Sequence, residues 1–154
     1  MTIRTTSNER TLAGLAHLSV LLGIMTGGIG GAIAAMLIWI TQKDKSDYVA
    51  FQALQAAVYQ IAGTLVMTLA WCCWLMFYFA TFIPMMAQLD QNPDVLPPSF
   101  WIGLLSMVVP LAVMGLWLLY GLWGSLRCFQ GLDFQYVFVG RWVKRYLMNE
   151  AAAA

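Results

Sequence analysis

The groups in this 154-residue chain that could move a proton or hold a metal are few: one histidine, three cysteines and seven acidic side chains. His17 is the sharpest of them. It stands inside the apolar run Leu15-Ala16-His17-Leu18-Ser19-Val20, and an ionisable group within a membrane segment is a functional candidate by default. Through one ring nitrogen it could ligate a haem or chlorin, or relay a proton. The plainer reading is a neutral imidazole hydrogen-bonded to Ser19, Gln52, Gln55 or a backbone carbonyl, pinning one helix to another. The chain has no second histidine for bis-imidazole ligation. Cys72 and Cys73 are adjacent in an apolar stretch and Cys128 follows another. No CxxC or Cys/His ligand spacing exists, and the thiols read as buried apolar groups. Asp44 and Asp47 lie in a polar turn, no paired carboxylates fall within an apolar segment, and no Ser/His/Asp set can be assembled. No catalytic residue and no metal site is expected, so the chain does not read as an enzyme.

Two further patterns could serve packing or a partner. Gln52, Gln55 and Tyr59 recur at helical spacings of three and four, with Gln60 adjoining. They could line a polar path, bind a partner, or satisfy one another and backbone groups freed by a broken helix. Ser19, Gly23, Gly27 and Gly31 repeat every four positions, the small-residue pattern that lets helix backbones approach closely. Gly121 and Ser125 repeat it near the far end of the chain. Internal packing or a self-association face would both use it. A nucleotide-binding loop is excluded, because no strand precedes the glycines and no P-loop lysine follows.

The elements that must position these residues follow from composition. The chain is 61% hydrophobic and only 10% charged, against about 25% charged in soluble domains. A core this small cannot hide so much apolar surface, so lipid must solvate part of it. A formal net charge of +1 recruits no nucleic acid. The expected fold is all-α: one integral membrane domain over residues 1–154, a polytopic helical bundle. Thr6 and Glu9 fit a capping box, so a helix starts near Asn8. Thr26-Gly27-Gly28 should break it, making a short helical hairpin over residues 8–41 whose halves are each too short to cross a bilayer. One long broken crossing is the alternative. Ser46 or Asp47 can cap a long helix over 48–86, of which residues 62–84 make the crossing. Residues 87–98, with Asn92-Pro93 and Pro97-Pro98, read as a loop. A second crossing over 99–126 should kink at Pro110. Last comes a basic amphipathic helix over 134–147, with Arg141, Lys144 and Arg145 on one side and Val139, Trp142, Val143 and Tyr146 around the other, lying on the membrane surface. Arg4 and Arg10 could imitate a signal peptide's basic region, but Glu9 intrudes. The terminal alanines have no evident role.

Charge gives the orientation. With both termini in the cytoplasm, every basic residue is cytoplasmic and the loop carrying Asp90 and Asp94 is external, as the positive-inside rule asks. A bacterial cytoplasmic membrane is the expected location.

The run Leu12-Ala13-Gly14-Leu15-Ala16-His17-Leu18-Ser19, then Ile38-Trp39, Lys43-Asp44-Lys45-Ser46, Val49, Gln55-Ala56 and Gln60, resembles an uncharacterised bacterial family of small membrane proteins, a domain of unknown function. That family is similar in pattern to the twenty-kilodalton translocon protein of the chloroplast inner envelope. The resemblance covers most of residues 9–146 and implies four membrane helices with both termini inside, without implying a bacterial activity. Val58-Tyr59 departs from its pattern, where an asparagine and an aromatic often stand, and the 87–98 loop is longer than its usual link. The functional expectation is a structural or accessory subunit that packs against other membrane proteins or against copies of itself. The alternatives are an oligomeric translocation or permeation component, and a pigment- or haem-binding subunit through His17.

Overall fold

The computed structural model describes residues 5–91 and 93–153, with side chains as far as Asn149. Arg4, Asn92 and Ala154 lie outside the described residues, as do the side chains of the other terminal alanines. The described elements are seven helices: α1 (Ser7–Leu18), α2 (Val20–Met25), α3 (Ile29–Gln42), α4 (Asp47–Gln91), α5 (Pro98–Ser106), α6 (Val108–Phe129) and α7 (Val139–Ala153). The chain forms two compact units, residues 1–64 with 117–154, and residues 65–116. α4 and α6 each run through both.

In the first unit, α1 starts on the expected capping box. Thr6 Oγ1 accepts the Glu9 amide at 3.3 Å, and the Thr6 amide donates to Glu9 Oε2 at 2.7 Å. The second Glu9 oxygen accepts the Ser46 hydroxyl at 2.6 Å, and Ser46 Oγ in turn accepts the Val49 amide at 3.4 Å, capping α4. One carboxylate thus joins the first turns of α1 and α4. These bonds to the charged form hold the Glu9 carboxyl below the usual carboxylate range, the Ser46 hydroxyl first among them.

Between α2 and α3 the chain reverses through Gly27 (φ +67°) and Gly28 (φ +100°). The Gly28 amide reaches back to the Gly23 carbonyl at 2.6 Å, the bond that closes a helix end on a left-handed glycine. Thr26 Oγ1 then accepts the Gly30 amide at 2.9 Å, starting α3. α1 and α2 pack back on α3, so this segment is a helical hairpin rather than one broken crossing. The hairpin lies against the first turns of α4 on a core of alanines, Ala16, Ala35, Ala53, Ala56 and Ala57, rimmed by Met36, Ile38 and Trp39. Alanine lets the backbones come close. A second core joins Ala13, Cys128, Phe134 and Tyr136, flanked by Tyr48, Tyr59, Tyr120 and Val139.

The second unit is formed by the later part of α4, then α5 and the first turns of α6. Trp74 Nε1 donates to Ser106 Oγ at 3.1 Å, and Gly103 lets α5 approach Tyr78 and Thr81. Leu65, Leu69, Met76 and Ile83 are exposed apolar side chains on α4. By length and composition, Asp47–Gln91 and Pro98–Phe129 are apolar enough to cross a membrane.

Three boundaries differ from the sequence reading. α4 continues through Pro84 to Gln91, so the linking segment is shorter than residues 87–98. The second long apolar segment does not merely kink at Pro110. It breaks at Met107, because proline removes the amide that would bond the Ser106 carbonyl and its ring crowds that carbonyl. α7 starts at Val139, not at residue 134.

Gly31 packs where a Cβ would meet Gln60 Oε1 and the Ser19 carbonyl, whereas Gly27 faces open space at positive φ. Gly31→Ala should therefore lower stability in detergent by about 1–3 kcal/mol, and Gly27→Ala by only the left-handed cost of about 1–2 kcal/mol. Thermal unfolding of both, with Gly115→Ala in open space as the reference, checks the ordering.

Candidate functional site

Residues 133–136 are a non-helical strap laid across α1 and α4, although the sequence leads one to expect a helix from residue 134. Helical geometry would have left the polar groups of α4 without partners. The strap supplies them. Gln55 treats it as a neighbouring strand: its Nε2 donates to the Phe134 carbonyl at 2.8 Å, and its Oε1 accepts the Tyr136 amide at 3.3 Å. One carboxamide so satisfies backbone groups two residues apart. Gln52 Nε2 donates to the same Phe134 carbonyl at 3.0 Å and to Asp133 Oδ1 at 3.3 Å. With both its hydrogens facing acceptors, the Gln52 amide can point only its oxygen inward.

That orientation decides the state of His17. Gln52 Oε1 lies 3.0 Å from His17 Nε2 and is an acceptor only, so Nε2 carries the proton. On the other side of the ring, Nδ1 lies 3.0 Å from the Tyr136 hydroxyl. Burial, with the adjoining Tyr59, pushes the Tyr136 phenol well above its ordinary value, so it stays an O–H donor and Nδ1 accepts. The imidazole is a neutral link between two defined partners. Gln52 Oε1 also accepts from Gln55 Nε2 and from the Cys128 thiol. His17 is 1% exposed, and Gln52 and Gln55 are fully buried. In so dry a setting each bond is stronger than in water and each missing bond more costly.

Aromatic rings close the site. Tyr59 stacks on Tyr136, with ring centroids 3.9 Å apart and planes 7° from parallel. Its hydroxyl donates to the Trp117 carbonyl at 2.6 Å. Phe134 sits edge-on to His17 and Tyr136 and lies against Gly124 of α6.

The remaining sequence candidates separate into distinct places. Gln60 is not in the strap network. Its Nε2 donates to Ser19 Oγ at 2.9 Å, and Ser19 Oγ donates to the Gly31 carbonyl at 2.9 Å. Gln60, Ser19, Gly23 and Gly31 thus stitch the hairpin to α4 from inside, while Gly27 belongs to the turn. Ser125 ties α6 to α1 through the Gly14 carbonyl at 2.9 Å, and Gly121 packs against Val20 and Tyr59. Arg141, Lys144 and Arg145 are exposed on α7. Cys128 is buried as expected, but Cys72 and Cys73 are exposed on α4, because among the described residues none covers that apolar face. Among the described residues, no group of three or more His, Cys, Asp or Glu side chains could hold a metal ion.

Sequence reasoning missed Phe134 and Tyr136. The signal was present in Asp133-Phe134-Gln135-Tyr136, an alternation of polar and aromatic residues between Gly131 and Gly140.

The fold and this network define a small all-α, membrane-associated protein whose buried polar groups hold helices to a strap. The chain belongs to the magnetosome magnetite crystal formation protein family, whose model matches residues 8–143. No curated protein and no solved structure matches it.

Tyr136→Phe should cost about 1–3 kcal/mol, the penalty for leaving a buried imidazole nitrogen unpaired. His17→Ala and Tyr136→Phe together should cost less than the sum of the two single changes. Denaturation in detergent of the single and double variants measures the coupling, and strict additivity would sink the proposed pairing. For Glu9 the folded value lies below the unfolded one, so its contribution is present at and above the ordinary carboxylate range. It is lost as pH falls through the depressed folded value. Titration of Glu9 followed by NMR should show this midpoint moving up in Ser46→Ala.

Proposed function

We propose that this protein is a non-catalytic accessory factor of magnetite crystal formation, embedded in the membrane that surrounds the growing crystal. The family match across residues 8–143 carries this reading. The chemistry of the site agrees with it. His17, Gln52 and Gln55 are spent on one another and on the strap, so the interior offers a rigid frame rather than a reactive group. Iron is then a substrate of the process as a whole. This chain's part is to organise membrane partners through faces that its own fold leaves uncovered, such as the apolar outer side of α3 with Ile29, Ile33 and Leu37.

The orientation proposed with it has both termini on the cytoplasmic side. The basic residues favour it: the Glu9–Ser46 bond brings the α1 start beside the turn with Lys43 and Lys45, and Arg10 packs under Gly131 just after α6. A translocation or permeation role, which the translocon-like pattern suggests, would need a polar path. The glutamines needed to line one are buried and bonded inside a single chain. Haem or chlorin ligation would need a ring nitrogen of His17 released from Tyr136 or Gln52.

Gentle-detergent purification from magnetosome membranes tests these readings together. A colourless protein co-eluting with a partner at fixed ratio is expected, and replacing the chain by Gln52→Leu/Gln55→Leu should shrink or misshape the crystals seen by electron microscopy. A coloured preparation would move the pigment reading forward. Recovery as a homo-oligomer that conducts in liposomes would favour permeation.

A further inference from the structure

α7 is not the two-faced helix that its sequence suggests. Gly140 and Val143 are buried against the first unit, where Gly140 lies close to Gln55 and Gln135. Trp142 and Tyr146 do not share that face. They are 59% and 48% exposed, and Phe138, immediately before the helix, is 83% exposed. Spaced four apart, the three rings form one stripe along the helix, with Trp142 and Tyr146 stacked at 6.3 Å. On a helical projection this stripe adjoins the buried face on one flank. Arg145, Arg141 and Lys144 follow in turn on the other, all exposed. The helix therefore presents protein-facing, aromatic and basic faces in order around its circumference.

Its position is set by the strap. α6, an apolar helix, ends at Phe129 with Arg127 in its last turn. Only residues 130–138 separate it from α7, and Phe134 and Tyr136 among them are clamped by Gln52, Gln55 and His17. If α6 crosses the bilayer, α7 is tethered where that crossing emerges. Aromatic rings belong at this level, with an apolar body for the acyl boundary and polar edges for the headgroups. Adjacent cations complement lipid phosphates.

We propose that Phe138 and α7 form a docking surface for the anionic headgroup layer of the bilayer. Phe138, Trp142 and Tyr146 enter the headgroup–acyl boundary, and Arg141, Lys144 and Arg145 bind lipid phosphates. An acidic protein partner is the competing occupant. The aromatic stripe argues against it, because it adjoins the protein-facing side, where the bilayer surface lies once α6 spans. This inference stands apart from the role in crystal formation and needs only that α6 crosses the membrane.

The test is amide hydrogen exchange of the full chain, reconstituted in vesicles of phosphatidylcholine alone or mixed with phosphatidylglycerol. Exchange over residues 138–149 should slow when phosphatidylglycerol is added, by about fivefold for each cation engaged, and high salt should cancel the difference. Arg141→Gln/Lys144→Gln/Arg145→Gln should lose the increment due to phosphatidylglycerol while residues 52–60 keep their protection. Phe138→Ser/Trp142→Ser should raise exchange in both lipids. Equal exchange of the unaltered protein in the two vesicles would overturn the proposal without recourse to any variant. So would protection that appears in lipid-free detergent only with a co-eluting protein.

Discussion

The carboxamide of Gln55 is the contact on which the first unit depends. A helix satisfies its own backbone, so an extended strap packed against helices arrives with unpaired carbonyls and amides. Gln55 answers a carbonyl and an amide two residues apart on the strap. Gln52 shares the first of these and, by exhausting its own donors there, turns its oxygen to His17. His17 then accepts from Tyr136, which is part of the same strap. The ring of bonds closes on itself through α4, the strap and α1. Removing any member leaves a buried polar atom exposed to nothing.

This explains how a chain with so few polar groups holds a hairpin too short to span a bilayer. The hairpin is sheltered by alanine contacts with α4, by the Ser19–Gln60 bridge and by the Ser125–Gly14 bond from α6. In both bonds a side chain of α4 or α6 meets a side chain or backbone carbonyl of the hairpin. The second unit has another character. It carries indole and phenol rings along α4, Trp71, Trp74 and Tyr78 in succession, and leaves long apolar side chains uncovered. By length and composition its helices are apolar enough to cross a membrane.

Much of this was legible in the residues. The Thr6–Glu9 capping box, the reversal at Gly27-Gly28 and the cap at Ser46 are local chemistry. Each depends on side chains within four positions of the backbone groups they serve. The two long apolar helices followed from apolar length. A kink at Pro110 is expected, but the helix breaks at Met107 instead, because the damage done by a proline falls on the carbonyl four residues earlier. The strap reads as helix because Phe134 and Tyr136 adjoin an amphipathic stretch, and an alternation only four residues long is too short to outweigh it. His17 was singled out as unusual, yet its partner Tyr136 is 119 positions away.

The sequence by itself determined the class: an all-α chain, too apolar for water, with its breaks and caps written in short-range patterns. Those patterns act through helix geometry and the cost of unpaired backbone groups, which need only near neighbours. The tertiary structure decided what the rare polar side chains do. The tautomer of His17, the orientation of Gln52, and the division of α7 into buried, aromatic and basic faces all arise from partners distant in the chain. A hydrogen bond has direction, and that direction exists only once the donors and acceptors have been brought together.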